Sequence, residues 1–423
     1  MTNKKYFPLT KEELKELVNN LDIYLGDIDT SRMFDMSSLF QNSLRKKFDG
    51  IETWNTSNVL NMERMFESSF INKPLNFDTS NVKNMEYMFA DCYLFNQPIN
   101  FNTSKVKNMK NMFSNCYFFN QNLNWDTSNV KNMSYMFENC HSFNQPLNWD
   151  TSNVENMSYM FRGCHSFNQP LDWDTTNLTD TYSMFSGCRS FNQPLNWDTT
   201  NVEDMSYMFE YCHSFNQPLN WDTSNVENMS LMFYYCHSFN QPLNWDTSNV
   251  EDMSKMFEYC YSFNQPLDWD TSNVEDMSDM FENCHSFNQP LNWDTSNVEN
   301  MAGMFKNCHS FNQPLDWDTS NVKDMNFMFC ECSAFNQPLD WDTTNVENME
   351  YMFWNCKELE YEMNFKMPYN KTKNMFHGCI LLSNEEEDNE TKHSKEWFND
   401  QKEIDEIPLL KFKIIENDDD DEN

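Results

Sequence analysis

Cysteine stands at positions 92, 116, 140, 164, 188, 212, 236, 260, 284, 308, 332 and 356, an unbroken spacing of 24, with Cys330 and Cys379 outside that clock. Histidine follows cysteine at 141, 165, 213, 237, 285 and 309. A carboxylate column runs through Asp126, Asp150, Asp174, Asp198, Asp222, Asp246, Asp270, Asp294, Asp318 and Asp342. Three chemistries are open to such columns: zinc on the Cys-His pairs, calcium on the carboxylates, and disulfides between stacked thiols.

Each has a plainer competitor. Adjacent Cys and His point apart in an extended or turning chain, and no paired CxxC spacing occurs, so the histidines read as half-exposed corner residues and no metal is assigned. Inward cysteines read as small buried hydrophobes carrying free thiols; stacked Cα atoms about 4.8 Å apart also fall within disulfide range, so bridges stay open. Cys330, off the clock, is the candidate exposed thiol. The aspartates precede Thr-Ser/Thr-Asn and read as caps on the amides that follow, with calcium the alternative, although calcium wants six to eight oxygens. Every Ser, His, Asp and Cys candidate exists in many near-copies, whereas catalysis needs one asymmetric constellation. The expectation is no enzyme and no cofactor.

Charge narrows the partners. Sixty-six acidic residues against 29 basic leave a net charge of −37, which repels phosphate backbones and argues against nucleic acid. Aromatic residues at 16% are too many for a disordered acidic chain. Six glycines supply no phosphate-cradling loop, and apolar runs are too short for a transmembrane segment.

The elements that must position these columns follow from the repeat. The unit is HSFNQPLNWDTSNVENMSYMFRGC (141–164), and about 14 coils run from roughly residue 30 to 380, the first copies looser, with a 26-residue step from Met33 and Met36 to Val59 and Met62. A period of 24 suits a repeat solenoid of the β-solenoid or leucine-rich-repeat type. Leu147 and Trp149, two apart, share the inner face of a short parallel strand whose ladder starts after Pro146. Val154, Met157, Met160 and Phe161 then predict a short helical or 3-10 return segment. Each coil thus offers Phe, Leu, Trp, Val, two Met, a second Phe and Cys to one core, and Trp is core rather than a sugar platform. The coil at Leu178 puts Thr181 where other coils have Met, a weak spot in packing. Outward between Leu and Trp runs a polar file: Asn148, Asp172, Asn196, Asn220, Asn244, Asp268, Asn292, Asp316 and Asp340. This is the candidate ligand-binding stripe, and identical rows favour avidity for a repetitive partner; a hydrogen-bonded amide ladder that binds nothing is the competing reading.

The motif FNQPLNWDTSNVENMSYMF, recurring over about residues 30–380, resembles the repeat of the BspA-like leucine-rich-repeat surface proteins, also known as the DUF285 repeat of mollicute lipoproteins. The segment TKEELKELVNNLDIYLGDIDTS resembles the entry segment of such proteins. The resemblance implies a solenoid with a role in surface exposure, adhesion or protein binding. The chain departs from it in lacking a lipobox cysteine near its start, and MTNKKYFPLT lacks the apolar core of a Sec signal. Cell surface and cytoplasm therefore both stand as expected locations.

The ends read differently from the array. Residues 1–29 form a cap: Thr10-Lys-Glu-Glu13 is a capping box opening an amphipathic helix over 10–20, with Leu14, Leu17, Val18 and Leu21 on its apolar face. The solenoid occupies 30–380. Residues 381–423 form an acidic segment with a possible closing strand at 407–415 and a solvated tail at 418–422.

Overall fold

The computed structural model describes residues 4–361, 363, 365 and 371–379; the expected closing strand and acidic tail lie outside the described residues. Parallel bridges join one coil to the next in register. They link Asp35 to Asn61, Asn61 to Asn84, and then every 24th residue from Asn84 to Asn348. The chain is a repeat solenoid, and the looser first step falls where the sequence places it.

All eight inward side chains of the unit are buried: Phe143, Leu147, Trp149, Val154, Met157, Met160, Phe161 and Cys164 are each at most 6% exposed. Like residues stack on like. Phe161 lies 5.6 Å from Phe185, and Trp149 lies 6.4 Å from Trp173 with planes 2° apart.

The ladder, however, is not where the strand was expected. Residues 145–150 are extended, with strictly alternating burial from 146 onwards, yet no backbone–backbone hydrogen bond ties them to a neighbouring coil among the described residues. The bonds run instead through the segment expected to be helical. Met157, Tyr159, Phe161 and Gly163 donate their amides to Asp180, Tyr182, Met184 and Ser186 of the next coil at 2.7–3.0 Å. The intervening amides of Met160, Arg162 and Cys164 close turns onto Met157, Tyr159 and Phe161 at 2.9–3.2 Å. A helix would send every amide back along its own coil. Here two left-handed residues per coil, Tyr159 (φ 57) and Gly163 (φ 71) in this unit, swing alternate amides onto the solenoid axis.

Side-chain size explains the exchange. Two nearly parallel copies of one ring measure the local advance per coil. That advance is 6.4 Å at Trp149–Trp173 and 6.0 Å at Phe143–Phe167, but 4.4 Å at Tyr135–Tyr159 and 4.5 Å at His141–His165. Direct strand pairing needs about 4.8 Å, so the indole side is too wide for it. Side chains bridge that gap. The Trp149 indole Nε1 donates to the Leu123 carbonyl at 3.0 Å, the Thr151 hydroxyl donates to the Asp174 carbonyl at 2.8 Å, and Asn120 Oδ1 accepts the Asn144 amide at 3.0 Å. The stack consequently bends toward the ladder face.

At the N-terminal end, helix α1 spans Lys11–Asn19, with the Thr10 hydroxyl accepting the Glu13 amide at 3.2 Å. Leu14 and Val18 are buried and Leu17 packs partly against the core, but Leu21 is 58% exposed, because the helix ends before it. Buried Arg45 donates to the carbonyls of Val18, Asn20 and Ile23 at 2.6–3.2 Å, which satisfies the orphan end of the helix and fixes it over the first coils.

Candidate functional site

The nine stripe residues, Asn148 through Asp340, are all exposed and lie in one file on the wide, convex side. Among the described residues none of their side chains takes part in a hydrogen bond within the chain. The amide ladder that competes with a binding role does exist, but one turn earlier: Asn144 Oδ1 accepts both the Asn168 amide and Gln169 Nε2 at 3.0 Å, and the same pair of contacts repeats from Asn96 to Asn312. Structural hydrogen bonding is thus carried by the Asn144 column and the stripe is left free.

The aspartate column behaves as a cap. Asp150 Oδ1 accepts the Ser152 amide at 3.1 Å and its hydroxyl at 2.6 Å, and these contacts hold the carboxyl below its usual range. The same Asx turn recurs along the column.

All fourteen cysteines are free thiols and all are buried. Cys330, expected to be exposed, is 4% exposed; it occupies the column of Arg162 and Tyr234. The Cys164 thiol donates to the Phe137 carbonyl of the preceding coil at 3.0 Å, so the sulfurs face carbonyls rather than one another. Burial pushes Cys330 and Cys379 up to about 12 and raises the Cys164 thiol well above its ordinary value.

The histidines stack in files: His213 lies 4.7 Å from His237, which lies 4.6 Å from Tyr261, and burial beside His237 lowers His213 to about 4. Carboxylate oxygens of Glu258, Asp279 and Glu282 lie within 4.8 Å of one another. Lys255 reaches Glu258 at 3.3 Å and Asp279 at 3.2 Å, and Lys306 reaches Glu282 at 2.7 Å, so two ammonium groups already answer that charge.

Thr181 is fully buried, and its hydroxyl donates to the Asp204 carbonyl at 3.2 Å, the acceptor that a backbone amide takes in neighbouring coils. The substitution therefore keeps the intercoil bond, and the weak spot is one of apolar volume only.

The ladder face is the surface that sequence reasoning missed. Its signal was present: Gly163, Gly187, Gly303 and Gly378 fall on the two turn columns together with Asn115, Asn139, Asn283 and Asn307, the residue types that tolerate positive φ.

The model of the family described as "Mycoplasma protein of unknown function, DUF285" matches residues 12–124, 122–220, 195–292, 218–313 and 291–389. No curated protein matches the chain. Among solved structures, a leucine rich cell surface protein of Faecalibacterium prausnitzii A2-165 is similar at 15% identity and TM-score 0.39, over 71% of this chain and 81% of that one. The TLR13–ssRNA13 complex is similar at 12% identity and TM-score 0.24, over 88% of this chain and 51% of that one. No helix of the described residues is long and apolar enough to cross a membrane.

Proposed function

Because the chain belongs to the DUF285 family of Mycoplasma proteins, we propose that it is a non-enzymatic binding scaffold that presents its repeated polar file to a protein or repetitive polymer, in adhesion or another surface contact. The observation that carries this reading is the free stripe. Nine Asn or Asp side chains, from Asn148 to Asp340, stand in solvent with their hydrogen-bonding capacity unused inside the fold. The Trp column beneath them advances 6.1–6.4 Å per coil, so the file spans about 50 Å and a repetitive ligand meets equivalent groups at each step. Individually weak contacts then add through effective concentration.

The test is retention of the full chain on immobilised repetitive polymers, neutral and acidic glycans and a fibrous protein among them. The comparison is with the variant Asp172→Ala, Asp268→Ala, Asp316→Ala, Asp340→Ala. Saturable retention that falls at least tenfold in the variant supports the stripe. Equal retention of both proteins removes it.

A further inference from the structure

Across the coils, the convex columns hardly vary, whereas the ladder-face columns do. The column of Gly163 carries Asn115, Asn139, Gly163 and Gly187, then tyrosine in three consecutive coils, then Asn283 and Asn307. That column is left-handed throughout: Tyr211, Tyr235 and Tyr259 have φ of 55, 59 and 61. Bulky residues are rare there, and each is disfavoured relative to the Asn or Gly used elsewhere in this same chain. The asparagines of the column serve the fold, Asn139 Nδ2 donating to Asn115 Oδ1 at 2.8 Å and Asn307 Nδ2 to Asn283 Oδ1 at 2.9 Å. The three tyrosines give up that ladder and accept backbone strain, and what they gain is aromatic surface.

The rings are contiguous. Tyr211 lies 4.8 Å from Tyr235, which lies 4.0 Å from Tyr259; Tyr234 meets Tyr235 edge-on at 4.6 Å; and Tyr261 extends the sheet 6.2 Å beyond Tyr259. Tyr211 is 37% exposed and the others are half-buried. The same coils carry a file of exposed carboxylates, Glu203, Glu227, Glu251 and Glu275. Over residues 190–305 a single basic side chain, Lys255, stands against eighteen Asp and Glu. Exposed aromatic surface in a field of one sign favours a cation. The chain shows how such a ring receives one: the Arg64 guanidinium lies 3.9 Å from the ring centre of Tyr87, in the neighbouring left-handed column of the same face.

We infer that Tyr211, Tyr234, Tyr235, Tyr259 and Tyr261 form a docking patch for an arginine-rich polypeptide segment, its guanidinium groups meeting the solvent-facing ring surface and hydroxyls while the acidic side chains of the same coils supply the attracting field. The inference rests on the reading of the chain as a binding scaffold, but it places this contact on the ladder face rather than on the stripe.

The probe is fluorescein-labelled nona-arginine, titrated against the full chain at physiological salt, with nona-lysine in parallel. The principal variant is Tyr211→Asn, Tyr235→Asn, Tyr259→Asn, which leaves the net charge untouched and installs the residue that other coils already use at that position. A second variant, Glu227→Gln, Glu251→Gln, Glu275→Gln, alters only exposed side chains. Expected results are nona-arginine bound at least tenfold tighter than nona-lysine, a loss of tenfold or more in the tyrosine variant, a several-fold loss in the glutamate variant, and less than a twofold change in the stripe variant. Equal binding by wild type and the tyrosine variant reduces the interaction to diffuse charge and overturns the patch. So does equal affinity for the two peptides, or no binding at all. Loss in the stripe variant alone overturns the patch and leaves the scaffold reading standing.

Discussion

Replacing Trp245 and Trp125 separately by phenylalanine isolates the side-chain bridges that hold the wide side of the stack together. Trp245 Nε1 donates to the Leu219 carbonyl at 3.1 Å, whereas Trp125 Nε1 is buried without a partner. The smaller ring is compatible with the column, since Phe77 and Phe101 occupy it natively with ring centres 6.4 Å apart and planes 3° from parallel. Both substitutions shed a few tens of Å² of apolar contact, about 1 kcal/mol at about 25 cal/mol per Å². Trp245→Phe also leaves the Leu219 carbonyl without its donor in a buried setting, which costs a further ~1–3 kcal/mol. Trp125→Phe removes a buried donor that has nothing to bond, and recovers part of the desolvation cost. The expected losses are therefore about 2–4 kcal/mol for Trp245→Phe and about 1 kcal/mol or less for Trp125→Phe. Urea unfolding of the full chain gives the difference. Amide exchange in the flanking coils locates it, because stability in such an array is a sum of local and nearest-neighbour contributions. Losses equal to within about 0.5 kcal/mol would refute the assignment of cohesion to the indole bond.

Three further outcomes are expected. Burial, reinforced by Glu282, raises the Glu258 carboxyl to about 8 against an ordinary value near 4.5, so the unfolded chain releases this proton first and the contribution to stability falls as pH rises through that window; Glu258→Gln should flatten the decline in melting temperature across it, and an unchanged slope would place the ionisation elsewhere. Thr181→Met should raise stability by about 1–2 kcal/mol, since Met157 and Met205 flank it in a fully buried column, and a loss on calorimetry would show that the site is fitted to the hydroxyl. The native thiols, Cys330 included, should be silent to a thiol-titrating reagent at mildly alkaline pH and all fourteen should react on unfolding; rapid native labelling of Cys330 would contradict its burial.

The repeat, its register and its core were legible because burial follows side-chain type: Leu147, Trp149, Met157, Met160 and Phe161 are apolar at fixed offsets, and all are inside. The capping role of Asp150 was legible because Asp-Thr-Ser is local chemistry, resolved within three residues. The position of the ladder was not. Apolar residues at Val154, Met157 and Met160 carry an approximately three-residue period whether the segment is a 3-10 turn or a chain of alternating turns, and only the left-handed residues separate the two. Glycine marks them in a few coils, but Tyr159, Lys255 and Phe327 adopt the same conformation against their own preference, held there by the stacked neighbours. The free state of the stripe was likewise invisible, because Asn144 and Asn148 are the same residue type and only the structure shows which one is bonded to the next coil.

Coils are joined through the segment beginning at Met157, not through the segment carrying Trp149. Amide exchange read by mass spectrometry tests it directly, because ladder peptides such as 229–236 and 253–260 differ in sequence and can be told apart. The amides of Met229, Leu231, Phe233 and Tyr235, each bonded to the next coil at 2.9–3.0 Å, should exchange slowly, while those of Leu219, Asn220 and Trp221 should exchange orders of magnitude faster. Strong protection of 219–221 with rapid exchange of 229–235 would contradict the account and return the strand to the tryptophan side.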